Sequence, residues 1–272
     1  MHTSLENQDR STPRKAVVVA TGWLGDAIAC SAAASSLSEL GYQTTLLIRW
    51  PQLKPIFDCD PRFKTQVYGK YLTYKITRPL FPSRFDVIVR EPKGWSYSLP
   101  FTSEIRKLAG CEPTSEYQLY LPSTTTALTA PISKRPQIAL ARDIYKRAYG
   151  RDISQLVQKL SELADIQWVG LDSSMNSKHG KTNNMLNDAA CIKNADLFIG
   201  PEGGLLWIAA GLGTKCVYFT EHILEVERVQ GKTGLMKILG SENHFPQKGH
   251  HALKPYCTNE EVIATIKQRL AV

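Results

Sequence analysis

The sequence has no apolar run near the ~20 residues that a helix needs to cross a bilayer, no Cys-x-x-Cys pair and no Gly-x-Gly-x-x-Gly turn. Each absence removes a class. The first argues against a helical membrane protein, the second against a zinc ribbon or dithiol redox centre, and the third against the usual pyrophosphate turn of a nicotinamide enzyme. The six cysteines, Cys30, Cys59, Cys111, Cys191, Cys216 and Cys257, are scattered, and several lie inside apolar runs. That pattern fits reduced structural thiols rather than a disulfide framework. Residues 1–15, MHTSLENQDRSTPRK, contain no apolar stretch of the signal-peptide kind and read as a disordered polar arm, so a cytoplasmic protein is expected. His244, His250 and His251 have no Cys or Asp pair at ligand spacing beside them, and no metal site is read from them.

What remains is ordinary in bulk. The chain has 272 residues, 43% hydrophobic and 21% charged, enough for one large domain or two of usual size. Its 33 Lys and Arg against 25 Asp and Glu give a net charge of +8, which favours anionic partners such as nucleotides, phosphorylated glycolipids or nucleic acid. The positive charge is spread along the chain. It supports electrostatic steering without identifying a partner.

The most informative stretch is 195–219, ADLFIGPEGGLLWIAAGLGTKCVYF. Ala195 to Ile199 is apolar and fits a buried strand, Gly200 to Gly204 breaks it, and Leu205 to Leu212 fits an apolar helix stopped by glycines. Cys216 to Phe219 then fits a second strand. A β-loop-α-β unit with a parallel sheet follows. Gly203 and Gly204 lack a Cβ, and the amides that open a helix are free donors at a positive dipole end, which suits a phosphate. Two glycines can equally make a bare tight turn.

The chain opens on a similar unit. Ala16 to Ala20 fits a buried strand, Thr21 to Asp26 a turn, Ala27 to Leu40 a small-residue helix ended at Gly41, and Thr44 to Ile48 the next strand. The turn is Gly22-Trp23-Leu24-Gly25-Asp26, and it sets a carboxylate where a dinucleotide enzyme needs bare backbone, which argues against an oxidoreductase. Further strands are expected at Lys64 to Tyr68, Phe85 to Arg90 and Tyr117 to Leu121, with a helix from Thr102 to Ala109. Between Trp50-Pro51 and Trp95-Ser96-Tyr97 the prolines and aromatics fit loops and short helices on an acceptor side, or irregular packing. Residues 122–136, rich in Ser, Thr and Pro, are the candidate linker. The rhythm then restarts with strands at Gln137 to Ala141 and Gln167 to Leu171, and helices at Ile153 to Leu163, Asn184 to Asn194 and Thr258 to Leu270. The last of these opens on a capping box in form.

The strand-GxxGD opening, the ADLFIGPEGG...AAGLGT block and a basic site at the head of the second half together resemble glycosyltransferase family 9, whose best known members are ADP-heptose:lipopolysaccharide heptosyltransferases. The likeness runs in order over most of residues 16 to 220. It implies an α/β, GT-B architecture, two Rossmann-type parallel-sheet domains facing a central cleft. The expected division is an acceptor-side domain over 16–122, a linker over 123–136, a nucleotide-sugar domain over 137–255, and a terminal helix over 256–272 that returns onto the first domain. The activity implied is transfer of a sugar from a nucleotide diphosphate sugar to an acceptor hydroxyl, inverting and independent of metal, with no cofactor beyond that co-substrate.

By the same resemblance Asp26 matches the catalytic base. An inverting transfer needs a carboxylate to take the acceptor proton, and the residue's alternative role is a helix N-terminal charge favoured by the dipole. Lys146 or Arg147, with Arg142 as a second candidate, falls where the family neutralises the leaving diphosphate, although each could also lie on a solvated basic face. Glu202 replaces an aspartate of the family pattern, Gly203 a threonine, and Trp207 a histidine. Glu202 then accepts donor-sugar hydroxyls with one methylene more of reach, while Trp207 cannot accept a hydrogen bond and fits a buried packing role. Gly22, Trp23 and Gly25 line the cleft turn, and Gly204 completes the donor loop. The default acceptor is a bacterial glycolipid of the lipopolysaccharide type, which would bring peripheral membrane contact. A hydroxylated base in phage-type DNA is the alternative acceptor, and a degenerate nucleotide-sugar-binding protein is the non-enzyme alternative.

Overall fold

A computed structural model describes residues 13–68, 85–92, 101–121, 134–145, 150–170, 185–220 and 250–271. The first half forms a parallel sheet in the order β3-β2-β1-β4, from β1 (Lys15–Ala20), β2 (Gln43–Ile48), β3 (Lys64–Val67) and β4 (Val87–Arg90). The second half forms another in the order β6-β5-β7-β8-β9, from β5 (Gln137–Ala141), β6 (Asp165–Val169), β7 (Leu197–Pro201), β8 (Cys216–Phe219) and β9 (His251–Leu253), again all parallel. The β-branched and apolar content of β1, β5, β7 and β8 accounts for their burial on both faces, as parallel strands require. Two α/β units result, as the sequence pattern implied.

Helix α1 (Leu24–Glu39) has ten buried residues, most of them Ala or Ser. Small side chains are needed because α1 packs at once on β1, β2, α3 (Phe101–Leu108) and α6 (Gly204–Gly211). Buried hydroxyls in it are satisfied along the helix, Ser31 donating to the Ile28 carbonyl at 2.7 Å and Ser35 to that of Ser31 at 3.0 Å. Helix α6 is apolar on every side and buried from Leu206 to Gly211. Side chains of α1 and α6 share one core with Leu46, Ile105 and Phe198, so the two halves meet through continuous apolar packing. Each such buried aliphatic is worth about 1.5–3 kcal/mol.

The remaining elements are a 3₁₀ turn at Pro51–Leu53, α2 (Lys54–Phe57), a second 3₁₀ turn at Arg142–Tyr145, α4 (Ile153–Leu163) and α5 (Met185–Asn194). Three expectations change. Tyr117 to Leu121 is extended but joins no sheet; it lies along α6, with the Leu119 amide donating to the Gly211 carbonyl at 2.8 Å and the Tyr117 hydroxyl to the Trp207 carbonyl at 2.8 Å. Hydrogen bonding to carbonyls of α6 has replaced pairing with a strand.

The second change concerns α7 (Asn259–Leu270), which was expected to return to the first half. Its Val262 and Ile266 are buried with Ile153, Leu156 and Leu160 of α4, and Asn259 donates to the Asp152 carbonyl at 2.9 Å. Its capping box is present, with Thr258 and Glu261 exchanging hydrogen bonds. The third is β9, an edge strand of three residues that carries no alternation to betray it. The candidate linker lies almost wholly outside the described residues, as do Lys146, Arg147, His244 and the segment from Trp95 to Tyr97.

Candidate active site

In each sheet the strand order reverses beside the first strand of the half, at β1/β4 and at β5/β7. Ligand crevices form at such points, beyond the carboxyl ends of the strands. Of the residues singled out from the sequence, Gly22, Trp23, Gly25 and Asp26 follow β1, Arg142 follows β5, and Glu202, Gly203 and Gly204 follow β7, while Lys146 and Arg147 lie outside the described residues.

In the first half Asp26 is the third residue of α1 rather than part of a preceding loop, and it is half-buried. Its Oδ2 accepts the Trp23 amide at 2.7 Å. The helix-capping role is thus real, and one oxygen of the carboxylate remains for other chemistry. Val19 pairs with Arg90 in register, so Glu91 emerges directly beside this turn. Its Oε2 accepts the Thr21 amide at 2.5 Å, the Gly22 amide at 2.8 Å and the Thr21 hydroxyl at 3.2 Å. Converging backbone amides of this kind bind phosphate in other α/β proteins. Here the protein's own carboxylate fills them, which is a structural reason for the first half not to hold a pyrophosphate. Burial, together with the neighbouring Asp26, raises the Glu91 carboxyl above its ordinary value, while the two amides pull it back.

Gly22 is confined between these acids. A methyl group on it would collide with Asp26 Oδ2 and come within 2.8 Å of Glu91 Oε1. Beside it Trp23 is 66% exposed and stacks on Trp50, with ring centroids 4.6 Å apart and planes 10° from parallel. Trp50 Nε1 donates to the Gly22 carbonyl at 3.1 Å, and the Arg49 guanidinium lies over the Trp50 ring at 4.9 Å.

In the second half Glu202 follows β7, its amide donating to the Phe219 carbonyl at 2.9 Å and its carboxylate accepting the Thr220 hydroxyl. Gly203 is the N-cap of α6, in an extended conformation with φ 164°, and a Cβ added there would meet nothing within 4 Å. Gly204 differs. A Cβ on it would lie 2.8 Å from Leu24 Cδ2, so its missing side chain makes room for α1 rather than for a ligand. Leu140 opposes Ile199, and Arg142, two residues beyond Leu140, therefore leaves the same sheet edge as Glu202. Its guanidinium lies over Trp168 at 5.7 Å, and Trp168 stacks with exposed Tyr145 at 5.8 Å. Burial raises the nearby Asp188 carboxyl, and the Gly170 amide and Arg142 oppose the rise.

The amino ends of α1 and α6 meet. Gly25 faces Trp207, and Leu24 fills the space at Gly204. Trp207 is only 7% exposed, its ring 5.6 Å from that of Tyr117, in agreement with a packing role. One apposition thus brings Leu24 and Gly25 of the first half against Gly204 and Trp207 of the second, with Gly22, Trp23 and Asp26 at the same end of α1 and Glu202 and Gly203 at the same end of α6. Sequence reasoning missed Glu91, Trp50 and Tyr117. Glu91 could have been found from its place one residue past a strand that pairs with β1; the other two carry no local signal.

No model of a known protein family matches the chain, and no curated protein matches it by sequence. Solved structures do. The glycosyl transferase family 9 protein of Veillonella parvula superposes with a TM-score of 0.65 at 11% identity, covering 95% of this chain and 97% of that one. Escherichia coli ADP-heptose lps heptosyltransferase II gives 0.63 at 13%, covering 94% and 98%. The dodecameric glycosyltransferase TibC of enterotoxigenic E. coli gives 0.54 at 14%, and this chain spans only 58% of its length.

TibC is described as iron-containing, which corrects the expectation of metal independence drawn above: proteins of this fold do include a metalloprotein. The described residues here do not fit such a metal. Among them no group of three His, Cys, Asp or Glu could hold one, and the imidazole of His250 lies near the Arg269 cation. Among the described residues, too, no helix is long and apolar enough to cross a membrane. Family 9 glycosyltransferases thus stand among the solved structures that share this architecture, and the chain has their fold, two parallel-sheet α/β domains of the GT-B type.

Proposed function

We propose that this protein is a glycosyltransferase that moves a sugar from a nucleotide diphosphate sugar to an acceptor hydroxyl, the acceptor being a saccharide of a bacterial lipopolysaccharide-type glycolipid. The observation that carries the reading is the apposition of α1 and α6. It packs Leu24 and Gly25, the two residues before the half-buried Asp26, against Gly204 and Trp207 of a helix that opens on a glycine loop with open space over Gly203.

The chemistry follows from those groups. The acceptor oxygen attacks the anomeric carbon from the face opposite the leaving group, so the new C–O bond forms as the bond to the phosphate oxygen breaks, with inversion. Asp26 takes the hydroxyl proton. Charge accumulates on the departing nucleoside diphosphate, and the helix-opening amides at Gly203, with Arg142 from the same sheet edge, would stabilise it. Lys146 and Arg147 follow Arg142 in sequence and are candidates for the same task. Glu202, whose carboxylate accepts the Thr220 hydroxyl, is the candidate to accept hydrogen bonds from donor-sugar hydroxyls.

A thermal-shift screen against nucleoside diphosphates and their sugars tests the donor half of this reading. A ligand at about 100 times its Kd adds about 2.7 kcal/mol of stability. A clear shift with one nucleotide supports the reading, and no shift with any of them counts against it. Binding without turnover on any glycolipid or DNA acceptor would favour the nucleotide-sugar-binding alternative.

A further inference from the structure

The exposed face of Trp23 has no role in the transfer chemistry just described, yet it is held more firmly than an exposed tryptophan needs to be. Trp23 stacks on Trp50, Trp50 is tied by its indole N–H to the Gly22 carbonyl, and Arg49 lies over Trp50. The Trp23 amide is bonded to Asp26 itself. Ring plane and carboxylate are therefore fixed to one another through a single residue. At 66% exposure, most of Trp23 that Trp50 does not cover faces solvent.

We propose that Trp23 is the acceptor platform, and that it takes a pyranose ring by stacking. The proposal rests on the transferase reading for its setting and deepens it by naming the acceptor's chemistry. The C–H bonds on one face of a pyranose present a weakly positive surface to the negative face of an indole. Stacking fixes the sugar's plane and leaves its hydroxyls at the rim, where Asp26 and Glu91 offer carboxylate oxygens on either side of Gly22. Two acids suit a hydroxyl-rich ring. They would repel the phosphates of a polynucleotide, although a nucleobase could stack on the same indole. Trp23 is accordingly a specificity-determining residue for a saccharide acceptor.

The test uses the full-length protein on an array of pyranosyl oligosaccharides, with a single-stranded oligonucleotide as a competing probe. Wild type should capture a set of these glycans, Trp23→Ala should capture the same set about tenfold more weakly, and Trp23→Phe should recover part of the loss. Nucleotide-induced thermal shifts should be equal in all three proteins. In turnover, Trp23→Ala should raise the KM for acceptor and leave that for donor unchanged. Glycan capture that is indifferent to Trp23, no capture by wild type, or preference for the oligonucleotide overturns the proposal. Trp23-dependent capture with no sugar transfer would sustain the platform while contradicting the transferase reading.

Discussion

Gly25 of α1 and Trp207 of α6 occupy neighbouring space so tightly that a methyl group on Gly25 would lie 2.8 Å from Trp207 Cδ1 and 2.9 Å from Nε1. Trp207 is buried with its ring 5.6 Å from that of Tyr117, and its backbone carbonyl accepts the Tyr117 hydroxyl, so packing leaves the indole little room to move. Gly25→Ala should therefore lower stability by about 1–3 kcal/mol, as overpacking does, and reduce turnover by shifting Asp26 relative to the Gly203 loop. Adding Trp207→Phe should recover much of both losses. A double-mutant cycle in urea measures the coupling.

Gly203 sits in the opposite circumstance. Its extended backbone is open to any residue, and space above it is free. Gly203→Ala should fold with unchanged thermal stability. If phosphate approaches this backbone, the same change should weaken nucleotide affinity about 10- to 100-fold, the loss of a charge-assisted hydrogen bond. Calorimetric titration with the nucleotide found in the thermal screen reads the difference.

His250 is buried near Arg269, and the two effects, burial first, push its pKa down from 6.5 to about 4. In the folded protein it stays neutral at pH values where the unfolded chain takes a proton. Stability should thus be lost as pH falls from about 6.5 towards about 4, by about 3 kcal/mol in all. His250→Gln should flatten that part of the profile, which chemical denaturation at stepped pH would reveal as a pH-dependent difference from wild type.

Glu91 gives a slope of the other sign. Its folded pKa lies above the ordinary carboxylate value of 4.5, so the folded protein holds this proton more tightly than the unfolded chain. Stability falls as pH rises from the unfolded value through the folded one. Glu91→Gln should remove this fall. The same variant keeps one oxygen to accept the Thr21 and Gly22 amides, and it should therefore fold.

Much of the fold was legible because buried parallel strands and small-residue helices leave strong patterns. β5, α4 and β8 lie at the expected residues, Gln137–Ala141, Ile153–Leu163 and Cys216–Phe219. Helix α1 begins at Leu24, three residues before its apolar pattern suggested, because the turn's own Gly25 and Asp26 are helical. Strand β6 is Asp165–Val169 rather than a run to Leu171, and Gly170, with φ 91°, ends it.

The site was legible in part. Asp26 and the Gly203 loop carry local signals, and the two halves announce themselves by repeating the strand-turn-helix form. The stacking of Trp23 on Trp50 is another matter, since 27 residues separate the rings and β1–β2 pairing alone brings them together. The distinction between Gly203 and Gly204 was also hidden. It depends on Leu24, from the other half of the chain.

The most direct test of sugar transfer at this site is release of nucleoside diphosphate from the nucleotide sugar that stabilises the protein, measured with a glycolipid acceptor for wild type and Asp26→Asn. Asparagine can still accept the Trp23 amide, so the variant should fold and bind donor as wild type does. Acceptor-dependent release should fall by about 10²–10⁴-fold, the loss of a general base. Turnover that survives Asp26→Asn nearly intact would contradict the account.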